Sequence, residues 1–373
     1  MINYKKHLVE TRRMDVMTGM TSKERIRAAL EHKETDRVPT TMQCVGTAWE
    51  NLKKYLKMDT EEEILQYFDI DTRIMDLPPY TGPQKAPYVN ERGEKVYTNM
   101  LGCEYINKWN GAEYNMHIIS HPYSGVKTFD DLEKFEGWIN PDHYDYNAVT
   151  QFVKKHEDKA IRIGWPGPYQ VFTLLYGTEE FYINMYEEPE LMQAMLDRYC
   201  SAVSEIYERM FEAANGQVDI LRCCDDYGTQ RSMLFSISMW KEFFEKNTRM
   251  FAKLAHKHGA YYMQHSCGSV RAVIPKLIEC GVDALEPIQK VTGMDVDDLK
   301  REFGDQLCFQ GGIDTQYILP KGTPQEVYDE TTRVIKALYK RGGYILCGSQ
   351  DFEGDVPPEN ICALYEAAKR FES

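Results

Sequence analysis

The feature that most constrains the fold of this chain is the regular alternation of strand-like and helix-like segments after residue 148. Short apolar runs typical of buried strands recur there, and each is followed by a longer segment with the apolar spacing of an amphipathic helix. The predicted strands lie at 161–163, 219–224, 261–264, 283–286, 307–310 and 343–346, and the predicted helices at 189–215, 238–258, 270–280, 295–303, 324–340 and 358–371. Strict alternation of this kind predicts a parallel sheet covered by helices.

Two further strands are predicted upstream, at 37–44 and 70–75, which brings the number of strands to eight. Eight parallel strands are the number that closes a (β/α)8 barrel. An open, doubly wound sheet is the alternative, but no glycine-rich dinucleotide-binding fingerprint supports it. We therefore predict one α/β TIM-barrel domain that covers residues 1–373.

Two stretches of the chain depart from the alternation. Near the N-terminus, Thr21 and Glu24 have the spacing of a capping box, which predicts a helix through about Glu31 within an N-terminal extension at 1–36. Residues 78–147 carry many Gly, Pro, Tyr and Asn and show no sustained helical period. Because irregular stretches of this length are usually functional, we predict a β-rich insertion near the barrel mouth.

Charge and cysteine usage exclude several classes of function. With 44 Lys and Arg against 58 Asp and Glu, the net charge of −14 repels phosphate backbones and anionic lipids, so we expect neither nucleic acid nor membrane as a partner. No stretch approaches the roughly 18 apolar residues of a spanning helix, and we predict a cytoplasmic protein. The ten cysteines are predicted to be reduced thiols. Five of them are interpreted as core residues: Cys223, Cys224, Cys280, Cys308 and Cys362.

Polar side chains follow five consecutive strands at the point where each strand ends. In a barrel these ends converge on one face, where the chemistry takes place. The residues predicted to meet there are Asp225, Asp226 and Gln230, then His265 and Cys267, Glu286 and Gln289, Gln310 and Asp314, and Cys347 and Gln350. Trp165 and Tyr169, in a Gly-Pro loop after an earlier strand, are further candidates for binding a substrate.

His265 and Cys267 form the sharpest of these pairs. Alternate residues at a strand end can present an imidazole and a thiolate to one point, and these are ligands that Zn²⁺ favours. A catalytic zinc site needs three protein ligands and one open position, and Cys347, Glu286 and Gln350 are the candidates for the third ligand. The alternative is a histidine hydrogen-bonded into the network of strand ends, beside an inert thiol.

The adjacent carboxylates of Asp225 and Asp226 suit acid–base work or the binding of a charged substrate. Adjacent residues of an extended chain point to opposite sides, so at most one of them faces the barrel mouth. The other would cap a helix or a loop amide. Asp314, after two glycines, is either a site residue or a turn residue.

These strand ends, in this order, resemble the uroporphyrinogen decarboxylase superfamily over nearly the whole chain, from residue 21 to 371. The resemblance is carried by the segments at 22–30, 36–39, 164–168, 226–230, 265–268, 311–314 and 357–360. It implies a (β/α)8 barrel. The superfamily contains decarboxylases of porphyrin synthesis and zinc-dependent, corrinoid-linked methyltransferases, and the two branches use different residues.

This chain departs from both branches at one place each. The decarboxylases carry an N-terminal Met-Arg-Gln-Ala-Gly-Arg stretch whose arginines hold substrate carboxylates, whereas residues 40–46 here read Thr-Thr-Met-Gln-Cys-Val-Gly. Unpaired, desolvated carboxylates cost several kcal/mol each, which argues against decarboxylation. The methyltransferase branch is similar in its His-x-Cys motif, matched by His265 and Cys267. Where that branch has a third ligand cysteine, this chain has Gln350, with Cys347 three residues earlier.

The resemblance therefore implies a zinc-dependent methyltransferase that moves a methyl group between the corrinoid (cobalamin) of a partner protein and a small substrate or thiol. The resemblance and the residues together give catalytic roles to Asp225, Asp226 and Gln230; substrate contacts to Trp165, Tyr169, Gln289, Gln310, Asp314 and Gln350; and metal binding to His265, Cys267, Cys347 and Glu286. A tetrapyrrole decarboxylase and a non-catalytic corrinoid- or tetrapyrrole-binding protein are the alternatives. A homodimer is compatible with the sequence.

Overall fold

The computed structural model describes residues 19–111, 114–165 and 167–371. Its strands are β1 (Thr72–Met75), β2 (Tyr88–Val89), β3 (Lys95–Thr98), β4 (Glu104–Trp109), β5 (Tyr114–Ser120), β6 (Ala160–Ile163), β7 (Val218–Cys224), β8 (Tyr261–His265), β9 (Ala284–Ile288), β10 (Cys308–Ile313) and β11 (Tyr344–Gly348). Its helices before the long β6–β7 crossover are α1 (Ser22–Leu30), α2 (Gly46–Leu56), α3 (Glu61–Tyr67), α4 (Phe129–Lys134) and α5 (Tyr146–Lys155). The later helices are α6 (Pro168–Phe172), α7 (Thr178–Glu187), α8 (Pro189–Ala214), α9 (Ile237–Phe243), α10 (Glu245–Lys257), α11 (Ile274–Cys280), α12 (Val296–Phe303), α13 (Ile318–Lys321), α14 (Pro324–Leu338) and α15 (Pro358–Arg370).

Seven parallel strands form the main sheet, in the order β1-β6-β7-β8-β9-β10-β11. The segment at 39–45 closes the gap between the two outer strands. Thr41 donates its N–H to the carbonyl of Leu346 at 3.1 Å, and on the other side Thr40 accepts from the N–H of Asp71 at 3.1 Å. Eight chain segments therefore surround one lumen, and the predicted (β/α)8 barrel is confirmed.

The eighth segment is not the regular strand predicted at 37–44. It contacts its neighbour only through isolated parallel bridges, Thr40 to Leu346 and Cys44 to Phe352. Pro39, at the start of the segment, has no N–H to donate and pairs through its carbonyl, which accepts from the N–H of Leu346 at 2.8 Å. The barrel is closed at this seam by two short pairs of backbone hydrogen bonds, one pair on Leu346 and one on Phe352.

Two predicted helices differ from the structure. The helix at 238–258 is two helices, α9 and α10, which meet at Phe244, where the backbone leaves the helical region with φ −123°. Buried aromatic residues continue across this break, so the apolar pattern does not mark it. The helix at 270–280 begins only at Ile274. Within the described ranges, no helix combines the length and apolarity needed to cross a membrane.

Side chains that face the lumen form an apolar lower layer and a polar upper layer. The lower layer joins one residue from each of six strands to three from α1: Ala160, Ile220, Met263, Ala284, Cys308 and Ile345, with Ile26, Ala29 and Leu30. Residues two positions further along a strand point to the same side. The upper layer is therefore Arg162, Arg222, His265, Glu286, Gln310 and Cys347, all of them buried. Helix α1, which has the predicted capping box, covers the apolar end of the barrel.

The insertion contains the predicted β-rich structure, a four-stranded antiparallel sheet in the order β2-β3-β4-β5. Its later part contacts the chain that follows the C-terminal end of β6. The N–H of Tyr123 donates to the carbonyl of Leu175 at 2.8 Å, and the hydroxyl of Tyr176 donates to the carbonyl of Val126 at 2.9 Å. These contacts lie on the side of the barrel where the strands end. That the insertion shapes the barrel mouth stays a prediction.

Candidate metal and active site

Three potential metal ligands meet where β7 and β8 end. Among the described residues, the donor atoms of Cys224, Asp226 and His265 lie within 4.8 Å of one another. Cys224 and His265 are paired across the two strands, and Asp226 follows β7 by two residues. The sheet hydrogen bonds therefore fix the spacing of the thiol and the imidazole, and the carboxylate comes from the loop directly above them.

Cys267 adjoins this group from the loop after β8. Its Sγ lies 3.4 Å from the Nε2 of His265, and its N–H donates to Oδ1 of Asp226 at 2.9 Å. Burial raises the pKa of the Cys267 thiol, and the neighbouring histidine opposes this shift. Burial alone would raise the pKa of Asp226 as well, but its contact with His265 outweighs burial and lowers that pKa to about 2. Asp226 is therefore ionised at neutral pH.

The other nitrogen of the His265 ring faces a buried ion pair. Arg222 donates from Nε to Oε2 of Glu286 at 2.5 Å, and its Nη2 lies 2.5 Å from the Nδ1 of His265. Burial would raise the pKa of Glu286, but the Arg222 guanidinium reverses the effect and holds it well below its usual value. Oε2 of Glu286 is itself 3.4 Å from Nδ1. These contacts fix the ring so that Nε2 faces Cys267 and Asp226.

This donor set fits a zinc ion. Imidazole, thiolate and carboxylate are the zinc ligands of proteins, with bonds of about 2.0–2.3 Å. Two such ligands lie at most about 4.6 Å apart, so the observed group needs only small side-chain adjustments to surround one ion. Metal-binding histidines donate their other ring N–H to a carboxylate or a carbonyl, and Oε2 of Glu286, 3.4 Å from Nδ1 of His265, is placed to accept it.

Asp225 points away from this group, as expected for one of two adjacent residues in extended chain. Its carboxylate is fully buried and accepts from the N–H of Gln170 at 2.9 Å and from the hydroxyl of Tyr227 at 2.9 Å. Burial raises the pKa of Asp225 to about 8, against the effect of these hydrogen bonds. Of the two predicted catalytic aspartates, the structure brings only Asp226 to the histidine and cysteine pair.

The structure does not bring Cys347 or Glu286 into the group of donor atoms. Cys347 lies in the upper layer of the lumen, and its Sγ contacts the carbonyl of Gly348 at 3.1 Å. Glu286 is occupied by Arg222. Gln350 comes nearer, with its Oε1 3.7 Å from the Sγ of Cys267.

Of the other predicted polar residues, Gln289 joins two loops of the site, whereas Gln230 and Asp314 do not contact the group of donor atoms. Gln289 accepts from the N–H of Gly268 at 2.7 Å and donates to the carbonyl of Ser349 at 3.2 Å, which joins the loops after β8 and β11. Gln230 is exposed. Asp314 accepts from the N–H of Gln316 at 2.8 Å, which is the turn role that the sequence left open.

The two aromatic candidates are held by neighbouring aromatic residues. The N–H of Trp165 donates to the hydroxyl of Tyr207 at 3.0 Å. The hydroxyl of Tyr169 is 2.9 Å from that of Tyr182, and its ring packs edge-on against Phe235 and Phe244. Tyr169 is almost fully buried, whereas Trp165 is partly exposed. Only Trp165 therefore retains surface that a substrate could contact.

Sequence reasoning missed three residues of the site and the lumen beside it. Cys224, interpreted as a core cysteine, is partly exposed and is paired with His265 across the sheet, whereas its neighbour Cys223 is buried on the other face of β7. Arg162 and Arg222 were not considered. The sequence does carry a signal for them: a charged arginine stands inside each apolar strand. The alternation of side chains also places residues 222 and 224 on the same face of their strand.

Comparison with known proteins agrees with this geometry. The family model described as Uroporphyrinogen decarboxylase (URO-D) matches residues 106–371. Similar proteins include a uroporphyrinogen decarboxylase of Chlorobaculum parvum, 21% identical over 262 residues, which cover 65% of this chain and 70% of the relative. They also include the methylcobamide:CoM methyltransferase MtaA of Methanosarcina barkeri, 22% identical over 371 residues, which cover 95% of this chain and 99% of the relative.

Among solved structures, a methyltransferase from Methanosarcina mazei superposes with a TM-score of 0.66 at 19% identity, and the match covers 95% of this chain and 100% of that one. At this level of identity the superposition shows the shared barrel fold. The family match extends over more than half of the chain and includes every strand end that contributes to the site. The chain belongs to the uroporphyrinogen decarboxylase (URO-D) family.

Proposed function

We propose that this protein is a zinc-dependent methyltransferase that acts with a corrinoid protein and moves a methyl group between cobalamin and a small substrate or thiol. The observation that carries the proposal is the group formed by Cys224, Asp226 and His265, with Cys267 3.4 Å from the histidine, at the ends of two adjacent strands. A thiol, a carboxylate and an imidazole within 4.8 Å of one another, with a second thiol beside the imidazole, are a donor set for a zinc ion. A decarboxylation site has no need of them.

The relatives support the same branch. Proteins named methylcobamide:CoM methyltransferase align with 95% of this chain, whereas the uroporphyrinogen decarboxylase of Chlorobaculum parvum aligns with 65%. The ten free thiols support a reducing compartment, and we propose the cytoplasm. The corrinoid would be supplied by a separate partner protein.

We assign the metal ligands to Cys224, His265 and Cys267, with Asp226 as the fourth donor. A zinc ion bound here would lower the pKa of a substrate thiol and supply a thiolate at neutral pH. Asp226 offers an oxygen ligand, which binds a soft metal ion less favourably than sulfur or nitrogen does. We therefore propose that the substrate takes the place of Asp226 on the metal. Arg222 and Glu286 are positioning residues, because they hold the His265 ring from its far side.

The remaining predicted residues act around this centre in the proposal. Gln350, beside the Cys267 thiol, is the nearest of them to a bound substrate. Gln289 keeps the loop that carries Cys267 against the loop that carries Gln350. Trp165 contributes its partly exposed ring to the substrate side, and we propose that the insertion covers the same end of the barrel.

The proposal is tested with free methylcobalamin and a panel of small thiols, following the loss of the cobalt–carbon bond by absorbance. We expect demethylation that is abolished by a strong chelator, restored by added zinc, and absent from the His265→Ala variant. A rate that is unchanged by chelation and by His265→Ala would overturn the proposal. Tight binding of the corrinoid without demethylation in any thiol would favour the non-catalytic binding protein instead.

A decarboxylase of a carboxylated tetrapyrrole remains the second candidate. The observation that favours it is the presence of two arginines, Arg162 and Arg222, in the lumen of a barrel whose first segment has none between residues 40 and 46. Against it, Arg222 is already neutralised by Glu286. One remaining guanidinium is few for a substrate with many carboxylates. Anaerobic turnover of uroporphyrinogen without bound metal would establish this alternative.

A further inference from the structure

The four-stranded sheet of the insertion has two edges of different kinds. At one edge, β2 is only two residues long, and very short edge strands are a usual protection against pairing with another chain. At the other edge, β5 is seven residues long, and no described strand lies on its outer side. The backbone of β5 can therefore pair with one further strand.

The sequence of β5 carries no charged residue and no proline that would protect this edge. Its seven residues read Tyr-Asn-Met-His-Ile-Ile-Ser. The ladder between β4 and β5 is regular from Tyr114 to Ile118, and a bulge follows at Ile119, which has no partner on β4. The part of the edge that can pair regularly is thus Tyr114 to Ile118.

Apolar side chains are exposed along the same stretch. Tyr114 is 69% exposed and Met116 is 50% exposed. Trp109, which lies opposite Tyr114 on β4, is 55% exposed, and the two rings are 5.1 Å apart. These three side chains share one face of the sheet and together leave roughly 400 Å² of mostly apolar surface exposed. Contiguous exposed patches of this size often mark an interaction site.

The edge is complementary to a second copy of itself. Two copies of β5 can run antiparallel about a twofold axis at Met116, which then lies opposite the same residue of the other copy. On the apolar face, Tyr114 of each copy lies opposite Ile118 of the other. On the second face, Asn115 lies opposite His117. Aromatic residues beside β-branched residues are favourable cross-strand pairs, and no two like charges meet in this register.

The distribution of charge also favours a second copy at this place. The chain has a net charge of −14, so two copies repel each other over most of their surface. Between residues 78 and 126, however, there are four basic and four acidic residues, which leaves the insertion without net charge. Two copies therefore meet with the least repulsion when they approach through the insertion.

We propose that two copies of this chain associate through β5, antiparallel about Met116, so that their insertions form one continuous eight-stranded sheet. A stable interface buries about 800 Å² on each partner. The exposed parts of Trp109, Tyr114 and Met116 supply roughly half of this area, and the backbone and flanking side chains of β5 supply the rest. The dimer depends neither on the metal centre nor on the proposed methyl transfer.

The first measurement is sedimentation equilibrium of the full chain at micromolar concentration. We expect a mass of twice the 43.4 kDa of one chain. Met116→Lys should raise the Kd of the dimer at least about a hundredfold, because two like charges meet at the axis. The matched control is Val89→Lys, an exposed position on the short opposite edge, which should leave the Kd unchanged. Because Met116 is half exposed, Met116→Lys should keep the far-ultraviolet circular dichroism of the wild type.

The second measurement identifies the register by disulfide cross-linking with diamide. Residues opposite each other in antiparallel strands have Cβ atoms about 4.5–5.5 Å apart, close to the span of a disulfide, so Met116→Cys should link two chains. Asn115→Cys lies opposite His117 and not opposite itself, and it should give no more linked product than the wild type. A monomeric wild-type chain, a dimer that survives Met116→Lys, a dimer lost equally in Val89→Lys, or equal cross-linking of the two cysteine variants would overturn the inference.

Discussion

Cys224 and His265 are direct neighbours across the parallel strands β7 and β8. Residues paired in this way point to the same face of the sheet, so the thiol and the imidazole enter the barrel mouth together. Both are held by the sheet ladder, and His265 is held again by Arg222 through its second ring nitrogen. The pair is a rigid base to which the loops add Asp226 and Cys267.

This relationship predicts which cysteine completes the metal site. Cys224→Ser should weaken zinc binding at least about tenfold, since a thiolate is a much stronger zinc ligand than a hydroxyl. The measurement is competition with a chromophoric chelator. Cys223→Ser is the matched control, because that thiol is buried on the other face of the same strand. If Cys347→Ser weakens binding and Cys224→Ser does not, the loop after β11 supplies the ligand and the assignment to β7 is wrong.

The buried carboxyl of Asp225 predicts a pH dependence of stability. Its pKa of about 8 lies above the value of about 3.9 in the unfolded chain, so the folded state prefers the protonated form. The stability that it contributes is complete below about pH 4 and is lost as the pH rises toward 8, by up to about 1.4 kcal/mol per pH unit. Asp225→Asn should unfold with a flatter pH dependence in urea between about pH 5 and pH 8. Parallel curves for the two proteins would contradict this.

The ion pair between Arg222 and Glu286 predicts a large loss of stability when it is broken. Glu286→Gln leaves the Arg222 guanidinium buried without its counter-charge, and a change of this kind costs about 3–5 kcal/mol. Urea unfolding of the metal-free protein measures it. Glu62→Gln, which breaks a more exposed pair with Arg73, should cost less. If Glu286→Gln lowers the free energy of unfolding by less than Glu62→Gln does, the ion pair in the lumen is not shielded from solvent.

The first barrel segment predicts that uroporphyrinogen is not a substrate. Residues 40–46 contain no arginine, and within the described lumen layer only Arg162 has a cationic N–H group left unpaired. Several substrate carboxylates would remain desolvated without partners, at several kcal/mol each. An anaerobic assay should therefore detect no coproporphyrinogen at a catalytic rate. Detection at such a rate would reverse the order of the two proposed functions.

The barrel could be predicted from the sequence because its evidence is local. Each strand is a short apolar run, and each following helix carries its own apolar face, so β6 to β11 lie within a few residues of their predicted positions. The closing segment at 39–45 could not be predicted in detail, because its hydrogen bonds depend on neighbours about 30 and 300 residues away, Asp71 and Leu346. The break at Phe244 was hidden by apolar residues on both of its sides.

The site was predictable only in part, for a similar reason. His265 and Cys267 share one strand end, and their two-residue spacing indicates that both side chains point to the same side. Cys224 belongs to another strand, and only the register between β7 and β8 places it beside His265. Cys347 is near Gln350 in sequence, but it is a buried residue of β11 itself, and its Sγ contacts the carbonyl of Gly348 and not the group of donor atoms.

The number of sulfur ligands on the bound metal tests the central claim most directly. Protein purified without added zinc should retain about one zinc ion per chain, and X-ray absorption at the zinc edge should show two sulfur neighbours at about 2.3 Å, from Cys224 and Cys267. One sulfur should disappear in Cys224→Ser, and the other in Cys267→Ser. The absence of retained zinc, or a sulfur count that neither substitution changes, would contradict the metal centre and with it the proposed methyl transfer.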